Sequence, residues 1–169
     1  VAQARPVAGP PLLSLTRHPS SVTFASMNSI VHYLAEHGFP PTHLLQLTFS
    51  AFLAVLFIQS GLDKVFNWKS EKAFYTEHFS KSILNGSVPL LMPTITLMEL
   101  AAGLLSAIGF FQVLLTHRSG IGTMGMLFAA TALTMLFFGQ RVAKDYKGAA
   151  VLVPYFLLAM GGLWAFLVL

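Results

Sequence analysis

Glu99 falls near the middle of an apolar stretch running from about residue 89 to 115, where an unpaired carboxylate either costs several kcal/mol or stays protonated. Thr96, Glu99, Gly103 and Ser106 advance by three, four and three positions. That spacing lines them up on one helical face as a stripe of small and polar residues directed at a neighbouring helix. Two chemistries fit such a carboxylate. It is either a proton-accepting or quinone-binding group, or a residue that holds helices together by hydrogen bonding, and the residues leave both readings open. No second carboxylate lies at the same depth to form a proton wire.

A second group of polar residues stands in "IQSGLDKVFNW", residues 58–68. Gln59 and Asp63 are four apart and share a helical face; Ser60 and Lys64 share the adjacent one. Gln140 and Arg141 end a later apolar stretch that reaches the same membrane face. An Asp63–Arg141 pair extended by Gln59 and Gln140 would satisfy these groups where water is scarce. Together with Glu99, one or two turns deeper, Gln59, Asp63, Gln140 and Arg141 make a candidate quinone or lipid site. Lys64 is expected to snorkel to the headgroups instead.

Other chemistries find no residues. The sequence holds no cysteine, which removes disulfides, thiol relays and cysteine-ligated clusters. Its histidines at 18, 32, 37, 43, 78 and 117 all fall outside or at the very start of the apolar stretches. That placement argues against a haem held between facing helices and against a transition-metal site. Phosphate loops, Ser–His–Asp arrangements and base-reading motifs are also missing, so no cofactor bound covalently or through metal ligands is expected.

The elements that must position these groups are membrane spans. The 169 residues are 55% hydrophobic and only 9% charged, against about 25% charged in ordinary soluble domains. Four stretches, at about 43–65, 89–115, 121–141 and 149–169, approach or exceed the roughly 20 residues that cross a hydrocarbon core. Short connections, "THRSG" and "KDYKG", make the later spans antiparallel neighbours. The expected fold is all-α, a polytopic four-transmembrane-helix bundle with short interfacial amphipathic helices. The net charge of +4 is carried mostly by two loops, with Lys64, Lys69, Lys72 and Lys81 in one and Arg141, Lys144 and Lys147 in the other. This is topogenic charge rather than a nucleic-acid surface. It places both loops in the cytoplasm and both termini outside, which in a bacterial inner membrane is the periplasm.

Residues 1–26, rich in Pro, Ser and Ala, form an expected extended tail without the apolar core of a signal peptide. Met27 is an alternative start to Val1. Residues 27–42 read as an interfacial helix capped by Ser26 or Asn28 and ended by Gly38, Pro40 and Pro41, with Thr42 capping the first span. Residues 43–169 are the four-span domain. Phe74, Tyr75, His78 and Phe79 recur at helical spacing in the first loop and predict a second interfacial helix. Asn85-Gly86 is a turn, and Pro154 is expected to kink the last span.

The order of "GLDKVFN" at the end of span one, "MELAAGLLSAIG" in span two and "GQRVAKDYKGAAVLVPYFLLAMGG" across the last two resembles the DoxX family of small bacterial membrane proteins. The resemblance covers about residues 43–169. It implies a four-helix membrane fold and an association with respiratory or redox complexes, and it maps the family's charged positions onto Asp63, Lys64 and Glu99 without a role for any of them. The leading functional expectation is an accessory, non-catalytic subunit of an inner-membrane electron-transfer complex, partnered by larger membrane subunits and lipid. The alternatives are a quinone-binding subunit in which Glu99 exchanges a proton and, further off, an independent small transporter.

Overall fold

A computed structural model describes residues 19–168, and all the regular structure among them is helical. Six helices follow in chain order: α1 (Pro19–Glu36), α2 (Pro41–Phe66), α3 (Trp68–His78), α4 (Val88–Thr116), α5 (Gly120–Val142) and α6 (Tyr146–Leu167). Four of them, α2, α4, α5 and α6, are long and apolar enough to cross a membrane. The chain is a multi-pass membrane protein. Its spans match the apolar stretches of the sequence closely, because a run of some 20 residues without charge can satisfy its backbone in lipid only as a helix.

Two helix starts differ from expectation. α1 begins at Pro19 and so takes in residues 19–26, which composition alone places in the tail. No glycine or further proline interrupts the sequence from there to Glu36, and proline suits a first helical turn. The rest of the expected tail, residues 1–18, lies outside the described residues. Thr42 does not cap α2. Pro40, extended at φ -60° and ψ 159°, precedes the helix and Pro41 takes its first position, where the missing N–H would have had no partner anyway.

The spans form a ring. α2 packs on α4, α4 on α5, α5 on α6, and α6 closes back on α2. Leu53, Phe57, Ala102, Met126, Ala129, Leu133 and Ala159 fill the centre. Small residues set the approach of neighbours: Gly109 lies against Gly122 between α4 and α5, and a Cβ on Gly103 would sit 2.7 Å from the backbone nitrogen of Ile58 on α2. Close backbones gain dispersion contacts that lipid tails cannot replace. Gln46, buried near the start of α2, donates to the Ala165 carbonyl 3.0 Å away on α6 and so spends its polar group within the ring.

At one end of the bundle the start of α2 meets the turn after α4, where the Nδ1 atoms of His43 and His117 lie 3.3 Å apart. His117 takes the left-handed conformation (φ 55°) that ends α4. At the other end α3 follows α2 after Asn67, and its Phe74–His78 and Tyr75–Phe79 rings stack one turn apart, as the aromatic spacing predicted. Asn85-Gly86 makes the expected turn, with Gly86 at φ 79°. Pro93 in α4 and Pro154 in α6 both lie inside continuous helices.

Candidate functional site

The buried face of α2 is the stripe Gln46, Ser50, Leu53, Ala54, Phe57, Gly61 and Lys64. The facing stripe of α4 holds Val88, Met92, Thr96, Glu99, Ala102, Gly103, Ser106, Gly109 and Val113. Where these stripes cross, at the α3 end of the bundle, two charges meet. Lys64 Nζ lies 2.9 Å from Glu99 Oε2 and donates to Oε1 at 3.1 Å. Ser60, one turn back on α2, donates to the same Oε1 at 3.0 Å and accepts from Lys64 at 3.0 Å. Lys64 is 7% exposed and Glu99 0%.

Glu99 therefore points into the bundle as its stripe predicted, but Lys64 does not snorkel. A lysine stem near a helix end reaches water only when nothing inside competes for its ammonium. Here the Glu99 carboxyl one helix away competes, with both of its oxygens within 3.1 Å of the Lys64 nitrogen. The closeness depends on small residues on either side. Gly61 of α2 lies under Leu100, and Gly103 of α4 lies against Ile58.

The polar cluster expected from Asp63, Arg141, Gln59 and Gln140 does not assemble. Gln59 and Asp63 are exposed on the outer face of α2, along a shallow depression shared with Ala54, Val55, Ile58, Leu62 and Phe66. Adjacent residues on a helix point about 100° apart, so the inward turn of Lys64 sends Asp63 outward. Arg141 instead stacks over the Tyr146 ring at 4.6 Å. Gln140 accepts a hydrogen bond at Oε1 from His78 Nε2, 3.0 Å away, which ties α3 to the end of α5. Of the five candidate residues, only Glu99 lies in the buried site.

One participant and one neighbour were not expected there. Ser60 completes the Lys64–Glu99 contact, and its place on the face of Lys64 was visible in the sequence. Tyr75 comes from α3. Its hydroxyl pKa is pushed up to about 12, first by burial and then by the carboxylates of Glu71 and Glu99, so it stays a hydrogen-bond donor throughout the physiological range. The site is thus a lysine, a serine and a glutamate closed into one network, with a protonated tyrosine nearby. Such a network can hold two helices in register, and it can shift a proton between Lys64 and Glu99 without changing the net charge of the buried pair.

No family model, curated protein or solved structure matches the chain. The likeness to DoxX remains one of motifs and span order.

Proposed function

We propose that the protein is an accessory, non-catalytic subunit of an inner-membrane electron-transfer complex and docks through the outer face of α2. The observation that carries this reading is the exposure of Gln59 and Asp63 on a membrane-spanning helix, one turn apart and beside an apolar depression. α2 is about 39 Å long at 1.5 Å per residue, longer than the roughly 30 Å hydrocarbon layer. Gln59 consequently falls within the apolar layer and Asp63 near its edge. Polar groups at that depth usually face protein or a water-filled cavity, because lipid offers them no partner. A neighbouring subunit bearing a cation and a hydrogen-bond donor would satisfy both.

The sidedness proposed here rests on the distribution of charge. Lys69, Lys72, Lys81, Arg141, Lys144 and Lys147 gather at the α3 end, while Arg118 is at the opposite end. Removing Lys64 from the count, since it is buried, leaves the asymmetry in place. This end is cytoplasmic in our reading, and both α1 and the end of α6 face the periplasm. The electron-transfer assignment comes from the DoxX-like motifs.

Replacing Gln59 and Asp63 together by leucine should release the partner while leaving the bundle folded, since neither side chain contributes to its interior. Affinity purification in a mild detergent followed by mass spectrometry is the check. Stoichiometric membrane partners of redox type are expected with the native chain and at least tenfold fewer with Q59L/D63L. Recovery of the native chain alone would refute the proposal.

A further inference from the structure

A cavity of ≈ 160 Å³ lies at the α3 end, between α3, α4 and α5, away from the docking face of α2. Its walls are apolar along α4 from Val88 through Met92 to Ile95 and across to Met135 of α5. That stretch of α4 covers about 10 Å of helix axis. Polar chemistry is confined to Tyr75 and Gln140, which also line it. Phe79 packs over Gly139 at the same place, where a Cβ on the glycine would come within 3.4 Å of the ring. Phe138, 56% exposed, marks where the cavity meets the surface.

Size and polarity together select an occupant. An engineered cavity of about 150 Å³ lined by aliphatic and aromatic side chains stays dry and binds benzene. A space of this size therefore takes one flat six-membered ring but not a folded pair of acyl chains. A wholly apolar ring would leave the Gln140 amide hydrogens unused, while the Tyr75 hydroxyl, which bonds the Glu71 carboxylate, could turn to an oxygen placed in the cavity. A ring carrying oxygen substituents would use them, because a phenolic hydroxyl and a carboxamide both donate to a carbonyl oxygen. Gln140 retains its amide hydrogens for this, since its contact with His78 is made through Oε1.

We propose that this cavity binds the ring of a membrane quinone or quinol, with Tyr75 and Gln140 meeting its oxygens and the hydrocarbon tail leaving past Phe138 into the bilayer. The site differs from the grouping expected in the sequence, since Gln59, Asp63, Glu99 and Arg141 take no part in it. His78 acts as a positioning residue by holding the Gln140 amide. Tyr75 keeps its proton across the physiological range and so remains a donor in the oxidised and the reduced complex alike. The inference does not depend on docking through α2: failure of ring binding leaves the partner experiment untouched, and the reverse also holds.

The test is equilibrium binding of a decyl-tailed benzoquinone to the purified full chain in detergent. Dodecylphosphocholine serves as the competitor that offers a chain without a ring. Saturable binding is expected, weakened roughly tenfold by Tyr75→Phe, which removes one hydrogen bond and little volume. Met135→Trp, which fills the cavity, should weaken it by more than tenfold with the thermal midpoint nearly retained. Ile95→Phe replaces that variant if it fails to fold. Val151→Ala, on the exposed face of α6, should bind as the native chain does. Absence of saturable binding, equal binding by the filled variants, or displacement by dodecylphosphocholine as effective as by the quinone itself would each overturn the proposal.

Discussion

Glu99→Gln is expected to destabilise the bundle by about 3–5 kcal/mol, among the largest effects of any single substitution in this chain. The carboxylate is fully buried and Lys64 nearly so. Neutralising Glu99 leaves Lys64 without a counter-ion inside the bundle, so the ammonium must lose its proton or leave the α2–α4 contact for the headgroups, and either change disrupts the packing there. Glutamine keeps the shape and one acceptor oxygen, so the loss reports the charge rather than a cavity. Lys64→Met should fall in the same range, since it leaves the carboxylate with Ser60 as its remaining donor. The combined variant Lys64→Met with Glu99→Leu should recover most of the stability, because a packed apolar pair avoids both desolvation penalties. Thermal unfolding in detergent at neutral pH measures all three, and amine labelling of Lys64 adds a second readout, with protection in the native chain and reactivity in Glu99→Gln. A double variant no better than the singles would show that the pair does not act as one energetic unit.

Gly103→Leu should also be strongly damaging. A Cβ at this position would lie 2.7 Å from both the backbone nitrogen and the Cγ1 of Ile58. A backbone atom cannot rotate away, so α2 and α4 must separate. Overpacking of this kind costs about 1–3 kcal/mol, and this site belongs at the upper end of that range. Gly61→Ala offers the contrast. Its Cβ would meet the side chain of Leu100, with the Leu100 backbone nitrogen no closer than 3.4 Å. A leucine can change rotamer, so this variant should lose only about 1 kcal/mol. Equal unfolding midpoints for the two variants would mean that α2 and α4 are not in the close contact described. Widening at Gly103 should also expose Lys64 to amine reagents, since the charge pair lies along the same helix contact.

The spans were legible because their signal is length and composition, neither of which depends on tertiary contacts. The stripe through Glu99 was legible for a similar reason: small and polar residues in an apolar helix have few places to go except a neighbouring helix. The pairing was harder to read. Gln59 with Asp63 and Ser60 with Lys64 present the same four-residue spacing on adjacent faces, and spacing alone does not say which face turns inward. The deciding signal was longer in range. Ser50, Leu53, Phe57 and Gly61 continue at intervals of three and four to Lys64, so the buried stripe of α2 ends on the lysine. Following that stripe to its end would have placed Lys64 opposite Glu99 and Asp63 outside. The His78–Gln140 bond spans 62 positions of sequence, and neither residue carries a local pattern pointing to the other. The start of α1 is hidden because a Pro-, Ser- and Ala-rich composition resembles irregular chain, whereas proline at a first helical position is a helix starter.

Lys64 and Glu99 are 35 residues apart, and all of α3 lies between them. At ordinary synthesis rates of about 5–20 residues per second, the lysine leaves the ribosome roughly two to seven seconds before its counter-ion. For that interval α2 has an ammonium near its end and no carboxylate to receive it. Reaching for the headgroups is then its best option, and its long stem makes this cheap. Only when α4 enters beside α2 does the charge have a reason to turn inward. The ion pair can therefore form only after the second span has followed the first, and the inward position of Lys64 belongs to the two-helix unit rather than to α2 alone.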